Sequence, residues 1–351
     1  ENVPDKWMLV ARDAFNGRVL WKRPLGDWGW RSWRNDWVTR TVPPSMARGL
    51  AASAEQVLVT DGFRGEVLVL DAGTGGLLRR LPETEGTDEL VLCGDDLFTV
   101  RQLDDESRAV AALSLADGRI RWSQPAQCRP QTLCVLDSRV FWWDDNRVVA
   151  HDRVTGDRLW AGGELKESLG QQYNLLAVQG TVLAAGNRYH GALTAYDAAS
   201  GKQLWQKQCR AGYVMSPPDV FVIDGTVWAD GYFEEWLPRR DRRQIEAGKK
   251  TRKQIPAICR WPTFLKAAGR ELRTGKLLRE IDTGGMFKTG HHHRCYRCRA
   301  TPRFILAGRR GTEFIDLQGE NFSMDNWVRG SCRLGFLPAN GLLVATPHPC
   351  A

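Results

Sequence analysis

Three consecutive histidines and a Cys-x-x-Cys fall within twelve residues at Gly290–Thr301, GHHHRCYRCRAT. Imidazole nitrogens and cysteine sulfurs are ligands for zinc or copper. On an extended chain, side chains alternate between faces. His291, His293 and Cys295 then share one face and could offer two nitrogens and a sulfur to a metal. His292, Arg294, Tyr296 and Cys298 share the other face, so Cys295 and Cys298 point apart. No second cysteine pair completes a zinc ribbon. Arg299, not histidine, follows Cys298, which excludes c-type haem attachment.

A second pattern is the dipeptide Cys-Arg, at 128–129, 209–210, 259–260, 298–299 and 332–333. Guanidinium groups bind carboxylates and phosphates bidentately. Arg129, Arg210, Arg297, Arg299 and Arg333, with His291, His292 and His293, are therefore candidates for an anion-binding mouth. The alternative is that these arginines satisfy carbonyls at strand ends. A third pattern is GDWGWRSWRNDW (Gly26–Trp37), where Trp28, Trp30, Trp33 and Trp37 could form a platform for a sugar or a planar cofactor. The competing reading is a loop held down by its own tryptophans.

The formal charge is +8, and it is concentrated. Between Arg239 and Lys253 eight Lys/Arg oppose Asp241 and Glu246, a local balance of 8 − 2 = +6 in fifteen residues. Such a block reads as a solvated surface loop or as a contact for an anionic partner. No nucleic-acid-reading motif accompanies it. The expected partners are a protein or a small anionic ligand, with a membrane surface contacted through Arg239–Lys253. The adjacent acidic pairs Asp104-Asp105, Asp144-Asp145 and Glu234-Glu235 would face opposite sides of a strand. No Gly-x-Ser-x-Gly, Walker loop or His-Glu-x-x-His is present. Nine cysteines leave the redox compartment open.

What positions these groups is a repeat. ARDAFNGRVLW (Ala11–Trp21) recurs as VLDAGTGGLLR (Val69–Arg79), ALSLADGRIRW (Ala112–Trp122) and AHDRVTGDRLW (Ala150–Trp160). It returns as AYDAASGKQLW (Ala195–Trp205) and GRELRTGKLLR (Gly269–Arg279), with a worn seventh copy at Phe314–Phe322, FIDLQGENF. Apolar runs flank a turn with Asp early and Gly late. Asp can accept from the turn backbone, and Gly takes a positive φ without steric cost. Each copy is therefore a β-hairpin. Trp21, Trp122, Trp160 and Trp205 in the outgoing strands are plates that could dock between neighbours, and Arg79 and Arg279 replace them in two copies.

The repeat glycines 17, 75, 118, 156, 201, 275 and 319 are spaced 58, 43, 38, 45, 74 and 44 residues apart. A period of ~40–45 with four short strands per unit is that of propeller blades. The expected fold is an all-β, seven-bladed β-propeller, with eight blades as the alternative. RLGFLPA and LLVATP around Asn340-Gly341 are two further strands that would complete the N-terminal blade and close the ring. One domain over 1–351 is expected, with insertions at about 26–46 and 229–268.

The pattern A-x-D-x-x-x-G-x-x-L-W resembles the repeat of the PQQ-like β-propellers, which include quinoprotein alcohol dehydrogenases and the outer-membrane assembly lipoprotein propeller. The segments RDAFNGRVLWKRPLGDWGW, HHHRCYRCRAT and NWVRGSCRLGFLPANGLLVATPHPCA look like the PQQ-like domain of large planctomycete-type proteins. That resemblance implies a piece of a longer chain with fused domains, in an extracytoplasmic, periplasmic or membrane-associated setting. The quinoprotein branch implies PQQ with calcium, a disulfide between adjacent cysteines and eight blades. This chain has no adjacent cysteine pair and no segment matching the calcium ligands or the catalytic Asp. The expected function is a ligand- or partner-binding scaffold. A PQQ- or metal-dependent oxidoreductase and a carbohydrate-binding module are the alternatives.

Overall fold

All six glycines of the first six repeat copies sit at positive φ, between +66° and +78° (Gly17, Gly75, Gly118, Gly156, Gly201 and Gly275). The acidic residue four positions earlier caps the turn. Asp13 accepts from the backbone N–H of Phe15 and Asn16, and Asp152 from Val154 and Thr155. Asp71, Asp197 and Glu271 do the same in their turns, and the Ser114 hydroxyl accepts from Ala116. Hydrogen bonds donated to the ionised form stabilise it, from the backbone at Asp13 and Asp152 and from the Thr74 and Thr274 hydroxyls ahead of the backbone at Asp71 and Glu271, so these four carboxyls titrate below their usual range. In the seventh copy the positive φ falls on Glu320 (+54°), one residue beyond Gly319.

The computed structural model describes residues 6–28, 46, 48–165, 173–186, 192–208, 219–230, 233–236, 239–251, 254, 261–264, 266–283, 296–308, 311–325, 327–330 and 335–345. It opens with a two-stranded hairpin, β1 (Met8–Arg12) and β2 (Val19–Pro24). A first four-stranded antiparallel sheet follows, β3 (Leu50–Ala52), β4 (Gln56–Thr60), β5 (Val67–Asp71) and β6 (Leu77–Leu81). The second holds β7 (Thr87–Cys93), β8 (Asp96–Gln102), β9 (Arg108–Ser114) and β10 (Ile120–Pro125). The third holds β11 (Cys134–Leu136), β12 (Arg139–Asp144), β13 (Arg147–Asp152) and β14 (Arg158–Ala161). The fourth holds β15 (Tyr173–Val178), β16 (Thr181–Gly186), β17 (Ala192–Asp197) and β18 (Gln203–Gln208).

The fifth sheet begins with β19 (Val220–Ile223) and β20 (Thr226–Asp230). An excursion carries β21 (Phe233–Trp236), helix α1 (Arg239–Glu246) and β22 (Trp261–Phe264). The sheet resumes with β23 (Lys266–Glu271) and β24 (Leu277–Asp282). The sixth holds β25 (Arg299–Ala300), β26 (Phe304–Ala307), β27 (Thr312–Asp316) and β28 (Asn321–Asp325). A last hairpin pairs β29 (Phe336–Ala339) with β30 (Leu342–Ala345). Its turn is Asn340-Gly341 with φ of +51° and +75°, the primed turn that this dipeptide favours.

In the four-stranded sheets the repeat hairpin supplies the third and fourth strands, and in five of the hairpins, β1–β2 among them, the outgoing strand carries a bulge where the ladder skips a residue. Leu20, Leu78, Arg121, Leu159 and Leu278 are the skipped residues. The residue after each bulge is the repeat Trp or Arg. A bulge bends its strand and re-aims the next side chain, and here that side chain reaches the turn of the following hairpin. Trp21 Nε1 donates to Ala72 O at 2.9 Å, Trp122 to Arg153 O at 2.9 Å, and Trp160 to Ala198 O at 3.0 Å. Each ring lies so close to the turn glycine that a Cβ on Gly75, Gly156 or Gly201 would sit 2.6 Å from indole carbon. Arg79 makes the same reach, donating to Leu115 O and Ala116 O. Arg279 reaches Glu320 through Nε (3.0 Å) and Nη2 (2.8 Å). Where the latch is a flat indole the next turn offers glycine; where it is Arg279 the next turn offers a carboxylate.

The apolar clusters lie between successive sheets. Leu58, Val69 and Leu81 of the first pack with Leu90, Leu97 and Leu113 of the second. Phe98, Val110 and Trp122 of the second pack with Val140, Trp142 and Val149 of the third. Phe141, Trp143 and Trp160 of the third pack with Leu175, Val182 and Tyr196 of the fourth. Trp228 and Ile281 of the fifth meet Ile305, Ala307 and Ile315 of the sixth. The contacts group the chain into two compact units. The first comprises Glu1–Ala185, Thr194–Gln206 and Pro338–Val344; the second Gly186–Leu193, Lys207–Leu337 and Ala345–Ala351.

One expectation is corrected here. The basic stretch contains helix α1 rather than loop alone. Arg, Gln and Glu are good helix formers, but the segment carries no apolar stripe, so periodicity could not show it.

Candidate functional site

Counted back from the end of the first strand of the second to fifth sheets, Glu89, Thr132, Asn174 and Asp219 hold one register position. Arg297 holds it in the sixth sheet, where the ladder continues through Thr301 N to Phe304 O. All five are polar, and Glu89, Thr132, Asn174 and Asp219 are buried. This is the entry to each first strand. No single motif marks these residues; they emerge only when the copies are aligned on the turn after the first strand.

In the first unit, Glu89 reaches forward to the segment entering β11. Its carboxylate accepts from Gln131 N (2.8 Å) and Leu133 N (3.3 Å), with Arg48 at 3.5 Å. Burial pushes the Glu89 carboxyl up, with Arg48 and the two backbone donors opposing. Beside it, Asp88 takes Arg64 at 2.9 Å and Arg108 at 2.7 Å, and Arg108 also donates to Cys128 O. Thr132 donates to Arg129 O at 2.7 Å and accepts from Trp143 N at 3.2 Å. In the second unit Asp219 plays the part of Glu89, accepting from Cys298 N at 3.1 Å. The repeated device is a polar side chain on one first strand that holds the backbone entering the next.

The candidate residues fall into this scheme unevenly. The Arg129 guanidinium is spent on Asp145, with Nε 2.8 Å from its carbonyl and Nη2 2.9 Å from Oδ1, and it lies 5.3 Å over the Tyr173 ring. Arg299 Nη1 lies 3.4 Å from Cys298 O, and Arg297 is half-buried. Tyr296 and Cys298 are both buried with Arg297 between them, the alternation expected of an extended segment. Trp28 is a core residue, its ring 6.0 Å from Trp7 and 6.5 Å from Phe63. His291, His292, His293, Cys295, Arg210, Arg333, Trp30, Trp33 and Trp37 lie outside the described residues. Among the described residues no group of three His, Cys, Asp or Glu side chains is placed to hold a metal.

Cys93, Cys128, Cys134 and Cys298 are free thiols. Cys128 is buried, with Sγ 3.7 Å from Thr132 Oγ1. Burial raises its pKa well above the ordinary thiol value and that of Cys134 to about 12. Thiolate is the nucleophile, so Cys128 and Cys134 are expected to resist iodoacetamide in the native protein at pH ~8 and to label fully in urea. Peptide mass mapping reads both states; native labelling as fast as that of a free thiol would contradict the geometry.

Consecutive four-stranded antiparallel sheets, joined by Trp- or Arg-to-turn latches and cored between their faces, define a β-propeller of the PQQ-like kind. Residues 8–142 and 144–232 match the family model described as outer membrane protein assembly factor BamB, and the chain belongs to that family. Among solved structures it resembles BamB from Moraxella catarrhalis, with TM-score 0.51, 13% identity, and 86% of this chain against 73% of that one. The computationally designed protein Ika8 gives TM-score 0.51 and 14% identity over 76% of this chain and 70% of that one. Kuenenia stuttgartiensis hydrazine synthase gives 0.50 and 9% over 78% and 77%. At these identities the likeness is one of fold. No curated protein sequence matches the chain.

Proposed function

We propose that the chain is an extracytoplasmic β-propeller that binds a protein partner as a scaffold and carries out no chemistry of its own. The observation that carries this reading is the fate of the polar groups at the strand entries. Glu89, Asp88, Asp219 and Arg129 are each occupied by backbone or by an opposite charge from their own unit. They position strands and are not held open for a substrate. Membership in a family named for outer membrane protein assembly supports both the partner-binding role and a periplasmic or membrane-associated location. The full arrangement in this proposal is one seven-bladed domain. Six four-stranded sheets are completed by a seventh made from the two terminal hairpins, and the Trp latches act as its docking motif. In the native protein the domain is fused to others.

The described residues do not fit a quinoprotein centre. The described cysteines are buried or half-buried free thiols, and the acidic groups of the strand entries are bound to backbone and arginine. The test is reconstitution with PQQ and calcium. No shift in cofactor absorbance and no dye-linked alcohol oxidation is the expected result; saturable binding with turnover would replace this reading by the oxidoreductase one.

A further inference from the structure

The excursion in the fifth sheet is built as an arm. Strands β21 and β22 pair with each other in register, and they leave and rejoin the blade between β20 and β23. Their far end is a cross-strand pair of tryptophans, Trp236 opposite Trp261. Beyond that pair lies the basic segment, headed by α1. The helix ends in a Schellman turn, with Gly248 at φ +66°, Gly248 N bonded to Ile245 O and Lys249 N to Gln244 O. That turn folds Lys249 and Lys250 back beside the helix C-terminus, where the dipole favours cations. Arg240 and Arg243, three apart and so on neighbouring helix positions, are exposed, as are Lys249 and Lys250. Gln244 and Ile245 are half-buried, and Glu246 is the exposed opposing charge.

We infer that this arm docks on a bilayer surface carrying anionic phospholipid headgroups. Clusters of four to eight Lys/Arg bind such surfaces. Tryptophan concentrates where headgroups meet hydrocarbon, and the strand register sets Trp236 opposite Trp261 at the ends that lead into the basic segment. The helix lacks a broad apolar face, so it rests among headgroups and does not insert. An acidic protein would be served by the charges alone; the paired tryptophans favour the bilayer. The inference does not rest on the scaffold reading, since cofactor reconstitution has no bearing on it.

The experiment is co-sedimentation of the chain with phosphatidylcholine vesicles, with and without about 30% phosphatidylglycerol. Binding only to the anionic vesicles is expected, weakening at least tenfold as salt rises from about 0.1 to about 0.5 M. The Arg240→Gln/Arg243→Gln variant is expected to bind roughly tenfold or more weakly, with circular dichroism and melting unchanged. An Arg18→Gln/Arg119→Gln variant, exposed charge removed elsewhere, serves as control and keeps wild-type binding. Equal binding to neutral vesicles, no binding to either, or equal losses in both variants would overturn the assignment. So would retention on immobilised polyglutamate without sedimentation, which would point to an acidic protein instead.

Discussion

Trp160→Ala is expected to lower the unfolding free energy by about 3–5 kcal/mol, the range for deleting a large buried aromatic. Trp160 is 9% exposed and its ring meets Phe141 at 5.8 Å and Tyr196 at 6.4 Å. It also loses the bond to Ala198 O. The cavity would open between the third and fourth sheets, where the indole plate closes the gap above Gly201. Urea unfolding followed by circular dichroism reads the shift. Gly201→Ala attacks the same contact from the other side, placing a Cβ 2.6 Å from the ring at φ +71°, and should also destabilise. Trp327→Ala is the control, because Trp327 is 96% exposed; a change within about 0.5 kcal/mol is expected there. Equal effects at Trp160 and Trp327 would mean the latch contributes nothing.

Glu89→Ala is the second large effect, expected at about 3–5 kcal/mol because it leaves Arg48 without its buried partner. It also strips two backbone donors of their acceptor. Hydrogen exchange at Gln131 and Leu133 should rise well before exchange in β8 or β9. Glu89→Gln keeps an acceptor oxygen and should cost less. The two variants also separate a pH effect. The folded-state pKa of Glu89 lies above its ordinary value of 4.5. Between those two values the folded protein binds more protons than the unfolded chain, so this group's contribution is full below pH 4.5 and falls as pH rises through the folded pKa. The turn carboxylates have the opposite sign. Held below their usual range, Asp13, Asp71, Asp152 and Glu271 contribute stability above the ordinary carboxylate pKa that is lost on acidification through their folded values. Glu89→Gln should therefore flatten the stability curve only on the alkaline side of 4.5. A curve unchanged from wild type there would show that Glu89 does not titrate as its burial requires.

The hairpins were legible because their determinants are local. A turn carboxylate, a glycine four residues on and a Trp four beyond that are all within one short window, and the structure puts each to the expected backbone use. The Asn340-Gly341 turn was legible for the same reason. The bulge was not: nothing in Leu20, Leu78 or Leu159 distinguishes a skipped strand residue from a paired one. The seventh turn misled because Gly319 looks like the conformational residue while Glu320 holds the positive φ, a choice that Arg279, 41 residues upstream, makes sensible. The strand-entry clamps were invisible for a related reason. Glu89 meets Gln131 and Leu133 across 42 and 44 residues, and Asp219 meets Cys298 across 79. The Cys-Arg dipeptides do not mark these polar groups, which sit at other positions.

Among the described residues, the five latches point the same way along the chain. Trp21 is received by the turn at Ala72, Arg79 by Leu115 and Ala116, Trp122 by Arg153, Trp160 by Ala198, and Arg279 by Glu320. Each four-stranded sheet can pair its own strands as soon as it leaves the ribosome, since those contacts are near in sequence. Its outer strand stays uncapped until the next blade has been translated. Assembly is thus a zipper running from the amino end, with one indole or guanidinium always waiting for its seat. A ribosome stalled between blades would hold a chain whose last finished sheet still shows that unreceived group, a mark that distinguishes an unfinished propeller from a complete one.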